Sequence, residues 1–118
     1  MGQPGVHFEI GGEDRVGLQQ FYAGIFGWDV QDMPQMNYGM VKTGGEGGIG
    51  GGISGTPADS PVRNGVTVYI QVDNLQAYLD RVDQQGGKTF VPPTSSPGGG
   101  SFAWFSDPQG NCVGLFQD

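Results

Sequence analysis

The chain has one histidine, His7, and it stands two residues before Glu9. On an extended strand, residues two apart project to one side about 7 Å from each other. An imidazole and a carboxylate so placed can work as a general acid and base or supply two ligands to a divalent ion. They can equally be anchors of a hydrogen-bonded network, with Thr67, Tyr69 and Gln71 as partners on a neighbouring strand of the same character. A second set of residues could hold a planar or apolar molecule: Tyr38, Met40, Tyr69, Phe102, Trp104 and Phe116, all in strand-like segments. Cys112 has no basic residue beside it in sequence, so it reads as a small buried hydrophobe rather than a reactive thiolate. The run from Gly44 to Gly52 lacks the Lys-Ser/Thr pair that follows a phosphate-binding loop. Its glycines instead suggest bare backbone, leaving open volume or letting another chain approach closely.

The elements that must carry these residues are legible from periodicity. Val6-His7-Phe8-Glu9-Ile10 alternates apolar and polar, which predicts a strand with His7 and Glu9 on its polar face. Asp14 is placed to cap a helix whose Leu18, Phe21, Tyr22, Ile25 and Phe26 form a stripe to be buried, ending at Gly27. Strands are expected over Asn37–Thr43 and Gly48–Ile53, with the Gly/Pro/Asp/Ser-rich segment 54–65 as a linker. The second half begins again: Val66, Val68, Ile70 and Val72 alternate with Thr67, Tyr69 and Gln71. Asp73 or Asn74 then caps a helix with Leu75, Tyr78, Leu79 and Val82 at helical spacing. Strands follow at Ser101–Ser106 and Asn111–Phe116, joined by the Asp107-Pro108-Gln109-Gly110 turn, whose Asp caps its own backbone while Pro presets φ.

One offset aligns Val6-His7-Phe8 with Val66-Thr67-Val68 and Gly27-Trp28-Asp29 with Gly87-Lys88-Thr89, so the chain is read as an internal repeat. The expected fold is α+β: two βαβββ modules, about 5–53 and 66–118, forming an open, curled mixed sheet in one domain over 1–118. Val6, Phe8, Ile10, Val66, Val68, Ile70 and Val72 should lie under the helices. His7, Glu9, Thr67, Tyr69 and Gln71 should line the other face, which curls into a cup.

The phenylalanine two residues before Asp107-Pro108, then Gly110-Asn111 and an apolar strand, together with the His7-to-Trp28 spacing and the Val72-Asp73-Asn74 helix entry, resemble the vicinal oxygen chelate superfamily. That superfamily includes glyoxalase I, extradiol dioxygenases and the bleomycin and fosfomycin resistance proteins. The resemblance implies metal ligands at four spots, which here hold His7, Gly52 (or Gly50, the glycine run blurring the register), Thr67 and Gly114. Only His7 is a retained ligand, short of the three that a catalytic divalent ion requires. The expectation is therefore a protein that binds a small organic molecule through His7, Glu9, Thr67, Tyr69, Gln71, Trp104, Met40 and Phe116, with no cofactor. The alternatives are a glyoxalase-type lyase or isomerase using His7 and Glu9 as catalytic residues with a divalent metal, and a structural or regulatory dimer whose cup is filled. The resemblance also implies a homodimer.

Composition narrows the partners. With 12 acidic against 5 basic residues in 118, net charge −7, and no basic cluster, the chain is poorly suited to nucleic acid or to acidic lipid surfaces. A single cysteine excludes an internal disulfide, and no long apolar run or leader is present, so a cytoplasmic protein is expected.

Overall fold

The computed structural model describes residues 2–56, 65–96 and 99–118. In chain order it contains β1 (Gly5–Gly12), α1 (Arg15–Phe26), β2 (Asp29–Met33), a 3-10 turn (Pro34–Met36), β3 (Tyr38–Lys42) and β4 (Gly50–Gly55). Then come β5 (Gly65–Gln71), α2 (Leu75–Gln84), β6 (Lys88–Ser95), β7 (Ser101–Ser106) and β8 (Cys112–Gln117). This is the expected α+β arrangement of two βαβββ modules. The chain divides into a first unit, His7–Val66, and a second unit, Met1–Val6 with Thr67–Asp118. Most of the sequence-inferred linker lies outside the described residues. Among the described residues no helix is long and apolar enough to cross a membrane.

The first unit orders its strands β2-β3-β4-β1, with β1 parallel to β4 and the other pairs antiparallel. Phe8, Ile10, Val41 and Ile53 form its core under α1, with Leu18, Tyr22, Trp28 and Val30 packed around them. Asp14 caps α1 by accepting from the Gly17 amide at 2.9 Å, and Gly27 ends it in the left-handed conformation at φ 69°.

The stripe expected on α1 is only partly buried. Leu18 and Tyr22 pack inward, whereas Phe21, Ile25 and Phe26 are 56, 59 and 59% exposed. The inward face is taken by Gln19, whose amide lies on Gly39 and donates to Asp32 at 3.0 Å. Arg15 grips the same carboxylate in a fork, Nε at 2.8 Å and Nη2 at 3.0 Å, and also donates to Asn37 Oδ1 at 2.6 Å. A polar clamp therefore sets the roll of α1, and the apolar arc is carried off to one flank.

The second unit orders its strands β5-β8-β7-β6, with β5 parallel to β8. Val72, Leu75, Leu79, Ala103 and Leu115 are its core, with Ile70, Tyr78 and Phe105 against them. Asn74 is the cap of α2, accepting from the Ala77 amide at 3.0 Å, and the Gln117 side chain accepts from the Leu75 amide at 3.0 Å. In the β7–β8 turn, Asp107 accepts from the Gln109 and Asn111 amides at 2.9 Å, and Gly110 takes φ 89°. Strand β6 is the element least visible in sequence, because Pro92 and Pro93 interrupt its ladder. It sits at the end of the strand order with register shifts on either side of Val91. Val66 and Val68, expected under the helices, are 65 and 47% exposed, because the α2 core begins only at Ile70.

Candidate ligand-binding site

On β1 the alternation holds: Phe8 and Ile10 are buried toward α1, and His7 and Glu9 project to the opposite, free face. Glu9 lies opposite Gly52, Gly52 opposite Met40, and Tyr38 opposite Ser54, so all of these share that face. His7 Nε2 and the Tyr38 hydroxyl are 3.0 Å apart, and the same hydroxyl is hydrogen-bonded to Glu9. One phenol thus ties together the imidazole and the carboxylate.

The phenol ring also fills a defined space. A Cβ on Gly52 would overlap the Tyr38 ring and hydroxyl, so the room a side chain at position 52 would need is already taken. Burial lowers the His7 pKa below its ordinary value and so favours the neutral imidazole. Burial, then the negative charge of Glu9 and the hydrogen bond to it, push the Tyr38 phenol far above its ordinary range. Tyr38 is therefore a neutral hydroxyl throughout the physiological range.

The second unit repeats the device with other atoms. Tyr69 lies opposite Gly114, and a Cβ on Gly114 would fall 2.5 Å from the Tyr69 ring. Gly114 also lies opposite Trp104, whose indole N–H donates to the Tyr69 hydroxyl at 2.7 Å. Phe102 follows at 6.4 Å from Trp104 between ring centroids, facing Phe116 across the strands. Thr67 is buried, and Cys112, two residues from Gly114, is half-buried. Gln71 stands at the end of β5, where with Asp73 and Gln117 it lines an open depression of about 550 Å³.

The candidate residues thus fall into two clusters, one on each unit: His7, Glu9 and Met40 with Tyr38 on the first, and Thr67, Tyr69, Trp104 and Phe116 on the second. The register settles which glycine of the run matters. Gly52 opposite Glu9 answers Gly114 opposite Tyr69. The expectation that the glycine run leaves open volume does not hold at Gly52, which the Tyr38 ring covers. Tyr38 is the residue that sequence reasoning missed as a hydrogen-bonding partner. Its signal was its phase, two residues before Met40 on β3, which puts it on the polar side of the sheet.

A family-type divalent centre would draw on His7, Thr67 and positions 52 and 114. Two of these lack a side chain, and the space a carboxylate would occupy there is filled by phenol. Among the described residues no group of three or more His, Cys, Asp or Glu is placed to hold a metal ion. The donor set does not fit the group, by the three-ligand requirement of a catalytic site.

Residues 6–115 match the sequence profile of the Glyoxalase/Bleomycin resistance protein/Dioxygenase superfamily. The chain is 32% identical over 111 residues to CFP32 of Mycobacterium tuberculosis, a glyoxylase by name, covering 88% of this chain and 41% of that protein. It is 27% identical over 124 residues to the anthracycline biosynthesis protein DnrV of Streptomyces peucetius, covering 93% of this chain and 45% of that one. The chain therefore spans less than half the length of the curated relatives it matches. Among solved structures, a superfamily member from Vibrio splendidus superposes with a TM-score of 0.69 at 17% identity, covering 99% of this chain and 100% of that one. On this profile match and the paired βαβββ modules that the superposition reproduces, the chain belongs to the Glyoxalase/Bleomycin resistance protein/Dioxygenase superfamily.

Proposed function

We propose that this protein binds a small, planar organic molecule on the free faces of its modules, without the catalytic metal used by other branches of the superfamily. The observation that carries the reading is the pair of tyrosines lying on Gly52 and Gly114, which puts phenol rings where metal-binding members place carboxylates. Trp104, Phe102 and Phe116, each partly exposed, supply an aromatic surface on the second unit, and the buried Tyr69 hydroxyl holds the Trp104 indole in place. Relatives named for anthracycline biosynthesis support an aromatic ligand. Pairing of two copies in a homodimer belongs to the same reading.

Two tryptophans make the test direct. Trp28 stacks on Tyr22 under α1, with ring centroids 5.3 Å apart, whereas Trp104 is on the free face. In a Trp28→Phe variant the remaining emission reports Trp104. A fused-ring aromatic should quench that emission saturably and raise the melting midpoint, while zinc, nickel and manganese should leave the midpoint unchanged. A midpoint raised by one of these ions, with no response to any aromatic, would favour the metal-assisted lyase or isomerase instead.

A further inference from the structure

The aromatic surface of the second unit has a cation at one end. Trp104 lies opposite Gly114 on one side and Val91 on the other, and Phe102 lies opposite Phe116, so the rings run across the strands in two rows. In the next row, Ser106 lies opposite Lys88. Residues opposite each other in an antiparallel pair project to one side, and Ser106 is two residues from Trp104, so Lys88 shares their free face. Lys88 and Trp104 are then diagonal neighbours, about 7–8 Å apart along the backbone and within reach of long side chains.

Among the described residues, the other free-face positions of β5, β6, β7 and β8 hold no formally charged side chain, so Lys88 gives this face its sign. Lys88 is exposed, and the ion pair found among the described residues joins Arg15 to Asp32 on the first unit. The acids beside this row are engaged elsewhere. Asp83 accepts from the Thr89 amide and hydroxyl, and Asp107 accepts from the Gln109 and Asn111 amides. The chain as a whole is negative, at −7, but that field is screened beyond about 8 Å at physiological salt, so the nearest charge decides what this row attracts.

Building on the proposed binding role, we propose that the ligand taken by the second unit is an aromatic acid, its ring on Trp104 and Phe102 and its carboxylate on Lys88. A lysine ammonium is a compact charge with three rotatable donors on a flexible stem, so it can follow a carboxylate attached at the edge of the ring. A protonated amine in the same place would meet like charge. The rings supply most of the contact, because an exposed ion pair adds little by itself, and the lysine supplies the choice of sign.

The test uses three probes with one ring system: 1-naphthoate, 1-naphthalenemethanol and 1-naphthylmethylammonium, titrated calorimetrically against the whole chain. The carboxylate should bind about fivefold more tightly than the alcohol, the upper range for an exposed pair, with the ammonium weakest. Lys88→Met should bring the carboxylate-to-alcohol ratio to about one, and Lys88→Arg should keep the preference. An independent readout needs no variant: at about 1 M salt, where the screening length is about 3 Å, the preference should fade. An ammonium bound as tightly as the carboxylate, or a carboxylate preference that survives Lys88→Met or high salt, would overturn the inference and leave the binding role standing. Failure of all three probes to bind would remove both.

Discussion

The two units solve one problem with different atoms. Each carries a glycine on its last strand, Gly52 or Gly114, and each covers that glycine with a tyrosine ring. In the first unit the ring comes from β3 and its hydroxyl bridges His7 and Glu9. In the second it comes from β5, and its hydroxyl accepts from the Trp104 indole. Repeat-related positions thus differ in residue type: Glu9 answers Tyr69 and Met40 answers Trp104, by their shared register with the two glycines. The comparison teaches that a glycine on the last strand need not leave a hole. A ring from a neighbouring strand occupies it, and what that ring bonds to decides whether the face is polar or aromatic.

The helices differ as much as the sheets, and the largest expected effect sharpens that contrast. Leu79 on α2 is fully buried, so Leu79→Ala should cost about 3 kcal/mol in denaturant unfolding. Phe21→Ala on α1 should cost no more than about 0.5 kcal/mol despite removing a larger side chain, because that side chain is exposed. A comparable loss at Phe21 would break the contrast.

Next in size, Gly52→Ala and Gly114→Ala should each cost about 2 kcal/mol through overpacking against a ring. In a double-mutant cycle, Tyr38→Ala should relieve the first cost and Tyr69→Ala the second, with no relief across the pairs. Relief by the wrong tyrosine would show that the covering contacts are misassigned.

A smaller pair of effects separates the hydroxyls. Tyr38→Phe and Tyr69→Phe should each cost about 1 kcal/mol, the range of one lost hydrogen bond. Only the former should move the titration of His7, read by NMR.

The smallest effects are on pH dependence. His7 has a folded pKa below its ordinary 6.5, so the unfolded chain takes up the proton first. Stability is complete above that value and falls as pH drops through the folded pKa. His7→Gln should abolish this part of the acid limb. Asp32 is held below its ordinary 3.8 by hydrogen bonds from Arg15 and Gln19. Its contribution is present above 3.8 and lost as pH falls through the lower folded pKa, so Asp32→Asn should flatten only that more acidic window.

Much of the fold was legible because local signals agreed. The alternation of β1, the Asp14 and Asn74 caps and the Asp107 turn each stand where their chemistry predicted. The roll of α1 was not legible, because it depends on a buried glutamine meeting Asp32 from another strand, a tertiary match with no periodic trace. Strand β6 was hidden by its prolines, which an edge strand tolerates. At the site, the phase of His7 and Glu9 was readable and their common partner was not. Tyr38 reaches them only through strand pairing across 31 residues, and its aromatic character suggested stacking before hydrogen bonding.

Metal content of the protein purified without chelator tests the central claim most directly. With tyrosines seated on Gly52 and Gly114, mass spectrometry should find less than about one-tenth of an equivalent of any divalent transition ion, by the three-ligand rule. Near-stoichiometric metal that disappears in a His7→Ala variant would contradict the account.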